Sequence, residues 1–263
     1  MTDGFADDLA LILGAAGEAG ALALRLRDQG LSVDFKEGDS PVTNADLAVD
    51  ALLKDRLRTA RPDYGWLSEE TVDDPARLSA RRLFVVDPID GTRSFAAGQA
   101  YWTVCIAVVE GERPVAGVVF APQLGETYTA VAGGGATLNG RPIEASGTYD
   151  LDGCGMIAHP RMFNHGDWPK PWPKMVIARR NSTAYRLCLV ASGAADATVT
   201  FAAKHDWDLA AADLIASEAG AYVGDHTGQP FAYNRAAPVQ RSLVCAAPAL
   251  APLILERVRH IAL

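Results

Sequence analysis

Apolar residues recur at spacings of three and four at Phe5, Leu9, Ile12, Ala16, Ala19, Ala23 and Leu26, which predicts a long amphipathic helix at the start of the chain. Gly14, Gly17 and Gly20 weaken that helix but permit close packing. SVDFKEGDSPVTNAD, residues 32–46, reads as loop, with Gly38, Ser40 and Pro41 as breakers. Thr43 can then cap a second helix, with Asp46 three residues on and Val49, Leu53 and Leu57 along one face. Beyond it the period shortens: YGWLSEE and RRLFVVD read as strands ending in acids. Residues 102–143 are a run of β-rich segments punctuated by glycine, proline and Asn139-Gly140, the signature of an antiparallel meander. From about Gly153, short apolar runs (CGMIAH, KMVIARR, ATVTF) alternate with helical patterns in AYRLCLVASG, DWDLAAADLIASEAG and ALAPLILERVRHIAL. Two halves are therefore expected, an α+β half over 1–145 with an antiparallel sheet and an α/β half over 146–263.

Composition changes this picture little. A chain of 263 residues with 49% hydrophobic and 21% charged residues can bury a sizeable core. Cys105, Cys154, Cys188 and Cys245 lie far apart with no metal-ligand spacing and read as core residues in a reducing compartment. A net charge of −8 with no basic stripe argues against a nucleic-acid polymer as partner, though not against a small anion. The first residues carry aspartates where a secretory signal has lysine or arginine, and no stretch reads as approaching the roughly 20 apolar residues of a membrane span. A cytoplasmic protein with no membrane partner is expected.

The chemistry concentrates in acids at element ends: Glu69 and Glu70 after one strand, Asp87 and Asp90 after another, Asp46 and Asp208 in first helical turns. Taken singly, Asp46 and Asp208 equally suit helix capping, and Glu69 and Glu70 a solvated turn. Pro88 and Gly91 give Asp87 and Asp90 a special backbone that is harder to dismiss. If these elements converge on one rim, the acids repel, two unit charges 4 Å apart by about 4 kcal/mol at an effective dielectric near 20. Cations relieve this, and hard oxygen ligands near a phosphate suit Mg²⁺. Gly91 and Thr92 stand at a predicted helix start whose amides can hold a phosphate. Gly133-Gly134-Gly135, with no following Lys-Ser/Thr, reads as a plain turn. There is no G-x-S-x-G or HExxH, and His205 reads as structural.

WLSEE, DPIDGTRSF and DWDLAAADLIASEAG, in that order, resemble the three signatures of the inositol monophosphatase family, and KEGDSPVTNAD resembles its mobile metal-site loop. The resemblance implies an α/β (α+β) fold, a layered αβαβα sandwich, and a Mg²⁺-dependent, commonly lithium-inhibited phosphomonoesterase. It implies metal ligation by Glu69, Asp87, the Ile89 carbonyl, Asp90 and Asp208, with two or three ions and Asp87 bridging two. Glu70 would support a third ion or orient the ligands from behind, Asp46 and Thr92 would activate the attacking water, the Gly91 and Thr92 amides would hold the phosphate, and Lys36 would belong to the closing loop. Ser68 and Ala212 stand where many members have glycine. A homodimer is a further expectation of the likeness.

A haloacid dehalogenase reading is disfavoured because its aspartates lie two apart, and here they are three apart with proline between. An inactive metal-binding scaffold would be expected to have lost an acid or Thr92, and none is missing. Within the family, Arg93 and AGVVFAP resemble the bisphosphate-nucleotidase branch. Phe201 and Lys204 stand where inositol-cleaving relatives are expected to place an acid, and a lysine suits a second anionic group. The expected substrate is therefore 3'(2')-phosphoadenosine 5'-phosphate, ahead of inositol monophosphate, histidinol phosphate and fructose bisphosphate. Residues 159–174 read as either a substrate rim or a rigid connection, and Ser192, Gly193 and Ala194 resemble a substrate-contacting turn.

Overall fold

The computed structural model describes residues 3–36, 40–164 and 168–263. The chain runs α1 (Asp3–Gln29), β1 (Val33–Lys36), β2 (Ser40–Thr43), α2 (Asn44–Ala60), β3 (Gly65–Ser68), β4 (Arg82–Asp90), α3 (Thr92–Ala96), β5 (Thr103–Glu110), β6 (Arg113–Ala121), β7 (Glu126–Val131), β8 (Ala136–Leu138) and β9 (Arg141–Ile143). It continues through β10 (Gly155–Ile157), β11 (Val176–Ala178), α4 (Thr183–Ala191), β12 (Ala197–Thr200), β13 (Lys204–His205), α5 (Asp206–Glu218), β14 (Tyr222–Gly224), β15 (Val239–Gln240), β16 (Leu243–Ala246) and α6 (Ala251–Val258).

Strands β3 to β9 form a seven-stranded sheet in sequence order, parallel only at β3–β4. A second, five-stranded sheet has the order β11-β10-β12-β16-β14. The change of sheet falls between β9 and β10. Side-chain alternation assigns the two faces of each sheet to different cores. In β4, Phe84 and Val86 pack toward α1 and α2, whereas Leu83 and Val85 pack toward α4 and α5. In β16, Leu243 and Cys245 face those same helices, and Val244 and Ala246 face α6. Three cores thus separate five layers, the αβαβα sandwich. A strand buried on both faces reads as an unbroken apolar run, which is why LFVV shows no alternation.

Helix α5 is held between the two sheets and accordingly buries nearly its whole circumference, from Leu209 to Ala216. The small side chains of Ala210, Ala211 and Ala212 let it lie close to both. All four cysteines are free and buried. The Gly133–Gly135 turn is a plain turn whose N–H groups of Gly133 and Gly135 donate to the Glu218 carboxylate at 2.7 and 2.8 Å.

Two expectations need correction. Residues 33–36 and 40–43 are a paired antiparallel ribbon, not loop, with Val33 opposite Thr43 and Lys36 opposite Ser40. Residues 37–39 of the expected closing loop lie outside the described residues. Helix α1, from Gly4 to Gln29, is long and apolar enough by length and composition to cross a membrane, contrary to the sequence reading. In this fold its Ile12, Ala15, Ala16, Ala19 and Ala23 are buried in the core shared with α2 and the seven-stranded sheet.

Candidate active site

The site forms where β4 stops behaving as a regular strand. Asp87 pairs with Cys105 and Asp90 with Thr103, so the register slips between them. Two residues, Pro88 and Ile89, face one on β5, a bulge made easy by a proline that cannot donate to the ladder. In an even strand residues three apart point to opposite faces. The bulge instead turns both carboxylates to one side. Asp87 Oδ1 accepts the Ile89 N–H at 3.1 Å.

Two helix N-termini meet the acids. The Ser182 hydroxyl and the Ala184 N–H, at the start of α4, donate to Asp90 Oδ2 at 2.6 and 2.7 Å. Asp208, in the first turn of α5, accepts the His205 N–H through Oδ2 at 2.8 Å. Carboxylate oxygens of Asp87, Asp90 and Asp208 lie within 4.8 Å of one another. Glu69 is delivered by β3, its N–H continuing the parallel pairing to the Val86 carbonyl at 3.3 Å.

Asp46 enters from α2. Its Oδ2 accepts from the Thr43 N–H and hydroxyl at 2.8 and 2.6 Å, completing the capping box read from the sequence. Its Oδ1 lies 3.1 Å from the Thr92 hydroxyl, which is also 3.1 Å from the Ile89 carbonyl, so one proton is shared between two acceptors. Gly91 precedes Thr92 with φ of 95°, and a Cβ there would sit 3.1 Å from the Tyr101 carbonyl and 3.3 Å from the Ser182 nitrogen. Only glycine fits. Lys36 reaches Glu70 at 2.7 Å and Glu69 at 3.2 Å.

Burial, followed by the negative charges of Glu69, Asp90, Asp208 and Asp46, holds the Asp87 carboxyl well above the usual range. Burial likewise raises Asp90, with Asp208 adding to it, and raises Asp208 against the opposing pull of Lys204. Burial raises Glu69 and Asp46 too, and pushes Glu70 to about 7 although Lys36 opposes it. Groups this reluctant to ionise together are satisfied by a divalent cation, whose field restores the charged forms. The donor set is all hard oxygen, so the cluster fits Mg²⁺.

Glu69, Asp87, Asp90 and Asp208 line a cleft of about 300 Å³ that is also lined by Arg93, Arg186 and Lys204. A second cavity of about 260 Å³ shares Asn181, Arg186 and Lys204 with it and adds Arg179, Arg180 and His159. Arg186 is fixed by donating to the carbonyls of Arg180 at 2.6 Å and Asn181 at 3.3 Å. Its burial lowers its pKa, against the pull of Asp90. Arg180 lies over the Tyr101 ring at 4.2 Å, with its Nε buried and without a hydrogen-bond partner among the described residues. A larger cavity of about 660 Å³, bordered by Lys54, Arg58, Trp66 and Thr71, contains none of the clustered acids.

The structure thus brings together Asp46, Glu69, Asp87, Ile89, Asp90, Gly91, Thr92, Arg93, Lys204 and Asp208, with Glu70 and Lys36 beside them. It does not bring in Ser192, Gly193 and Ala194. That turn follows the C-terminus of α4, and Gly193 packs against Glu144 and Ser146. The other end of the helix, about 14 Å away for nine residues, meets the cleft. Of residues 159–174, His159 and Met162 line the second cavity, whereas Trp168 and Trp172 stack with Phe163 and Phe201 over the outer core. Residues 165–167 of that segment lie outside the described residues. His205 stacks on Trp207 with ring centroids 4.4 Å apart. Sequence reasoning missed Ser182 and Arg186. The signals were the Asn-Ser-Thr helix start and the arginines at 179, 180 and 186.

The inositol monophosphatase family model matches residues 7–262. The chain is similar to the 3'(2'),5'-bisphosphate nucleotidase CysQ of Escherichia coli O157:H7, 31% identical over 244 residues that cover 83% of this chain and 91% of that one. It is 34% identical over 209 residues to an inositol-1-monophosphatase of Mesorhizobium japonicum, covering 76% and 77% of the two chains. Among solved structures, the Thermotoga maritima IMPase superposes with a TM-score of 0.83 at 26% identity, covering 97% of each chain.

Proposed function

The chain belongs to the inositol monophosphatase family and is a phosphatase of small phosphorylated molecules, and we propose that its substrate carries a second anionic group and is 3'(2')-phosphoadenosine 5'-phosphate. One observation carries this reading: the acidic cleft opens into a cavity walled by Arg179, Arg180, Arg186 and Lys204. Salt-bridge partners for these four cations are absent among the described residues. A phosphate ester held at the acids would extend its remaining anionic group toward them, where guanidinium forks suit phosphate oxygens. The name of the Escherichia coli relative agrees.

Glu69, Asp87, Asp90, Asp208 and the Ile89 carbonyl would hold two or three Mg²⁺ ions. When bound, Mg²⁺ lowers the pKa of a coordinated water and neutralises charge on the phosphoryl oxygens. Asp46, with Oδ2 committed to Thr43, keeps Oδ1 for the Thr92 hydroxyl. A hydroxyl donating to a carboxylate presents its lone pair outward, and Thr92 so orients a water for in-line attack and draws its proton toward Asp46. The Gly91 and Thr92 amides would hold the phosphate, and Lys36 would close the ribbon over Glu69 and Glu70.

Phosphate release with Mg²⁺ from 3'-phosphoadenosine 5'-phosphate, inositol 1-phosphate, histidinol phosphate and fructose 1,6-bisphosphate tests the reading. The nucleotide should show the highest kcat/KM, by about tenfold or more, the worth of one charge-assisted contact. Equal or reversed rates would refute it. Inositol monophosphate is the second reading, favoured by the 34% identity to the Mesorhizobium japonicum enzyme. Inhibition by Li⁺ and a homodimer are further expectations of the family, checked in the same assays and by light scattering.

A further inference from the structure

The turn that carries Glu69 and Glu70 is bracketed by two hydroxyl residues, Ser68 before it and Thr71 after it. Both donate to one carboxylate. Asp50 of α2 accepts the Ser68 hydroxyl through Oδ1 at 2.5 Å and the Thr71 hydroxyl through Oδ2 at 2.6 Å. The Trp66 indole N–H donates to Thr71 Oγ1 at 3.2 Å, filling its acceptor side. Asp50 and Ser68 are both buried, at 7% and 2% exposure. Among the described residues no lysine or arginine pairs with Asp50.

Two short hydrogen bonds from hydroxyls offset the cost of burying the Asp50 carboxylate without adding a net gain over an apolar contact. Apolar side chains of similar size at these positions would serve the core equally well, so stability alone does not account for the arrangement. Its geometry does something a hydrophobic contact cannot: each oxygen pins one end of the turn, and the two acids lie between the pins. The same helix supplies Asp46 one turn earlier, which holds Thr92. Successive turns of α2 therefore address the two halves of the site. Ser68 occupies a position where many family members have glycine, and its hydroxyl is one arm of the clamp.

We infer that Asp50 is a positioning residue that, through Ser68 and Thr71, fixes the turn presenting Glu69 and Glu70 to the metal ions. The inference rests on the metal role proposed for Glu69. Asp50 touches neither substrate nor metal, and its effect is on how well the ligand turn is pre-set.

The test is Mn²⁺ binding to the full chain, followed by electron paramagnetic resonance without substrate, together with the Mg²⁺ dependence of turnover and the melting temperature. Thr71→Val, Ser68→Ala and Asp50→Asn should each weaken Mn²⁺ binding about fivefold or more and raise the half-saturating Mg²⁺ by the same factor. The kcat at saturating Mg²⁺ and the substrate KM should stay within about threefold, and Thr71→Ser should restore wild-type affinity. Unchanged Mn²⁺ affinity in Thr71→Val and Ser68→Ala, whatever their melting temperatures, overturns the inference. Glu69→Gln separates the two assignments: if it too leaves Mn²⁺ affinity intact, the metal role of Glu69 fails, whereas if it alone loses affinity, only the clamp fails.

Discussion

The two walls of the cleft are built on different principles. On the acidic wall each side chain sits at the end of a strand or in the first turn of a helix; Asp46, Asp87, Asp90 and Asp208 each commit a carboxylate oxygen to a backbone N–H, and Glu69 accepts from the Lys36 ammonium instead. On the basic wall Arg186 and Lys204 are long side chains from the middle of a helix and a two-residue strand. The first wall is rigid and specified by local backbone chemistry. The second depends on residues brought close only by the packing of α4 and β13, and it is the part free to distinguish one ester from another.

This contrast can be broken or sharpened by substitution. Asp90→Asn should have the largest effect, lowering kcat on every phosphate ester by about 10³-fold, because the loss of a ligand's charge removes several kcal/mol of metal-derived stabilisation. Turnover near wild type would mean that the acidic wall is not the reaction centre. Arg186→Ala should raise the KM for the bisphosphate nucleotide by about 10- to 100-fold, the worth of a charged hydrogen bond, while inositol 1-phosphate changes little. A uniform loss on both substrates would place Arg186 with the acids.

A smaller effect concerns pH. Burial raises Glu70 from 4.5 to about 7 and raises Asp87 and Asp90 as well, so the folded chain holds protons that the unfolded chain has released. Stability from such groups is complete below their unfolded values and is lost as pH rises through the folded ones. The chelated protein should therefore melt about 5 °C lower at pH 8 than at pH 5, and saturating Mg²⁺ should remove most of that difference. Scanning calorimetry with and without EDTA reads it, and a chelated protein more stable at pH 8 would contradict the charge assignment. Ser192→Ala should be the mildest, within about twofold in kcat/KM on all substrates, since it lies beyond the far end of α4.

Legibility followed the same division. The acids could be read because each coincides with a local punctuation mark: Thr43 three residues before Asp46, the end of LFVV before Asp87, Pro88 and Gly91 around Asp90. The bulge that reconciles the three-residue spacing with a common side was not visible, since it requires the register of β5. The β1–β2 ribbon reads as loop because Gly38, Ser40 and Pro41 break the pattern, and the short alternation of Val33 and Phe35 with Asp34 and Lys36 belongs to a ribbon with three of its four β1 residues exposed. The cluster of Arg179, Arg180 and Arg186 marks positive charge in the sequence, but the cavity it borders is formed only by the tertiary packing. Ser192-Gly193-Ala194 stands out in the sequence through its resemblance to a substrate-contacting turn of the family; in the fold its glycine, with φ of 68°, ends α4.

Asp46 and Asp208 occupy the same position, three residues after the residues that cap their helices, and each closes the helix entrance with one oxygen while the other is left for the site. Winding the first turn and aiming the reactive oxygen are consequently a single event, so the site is half assembled before any ion arrives. It also makes glutamate a poor replacement at either place: one extra methylene preserves the charge but cannot span both tasks.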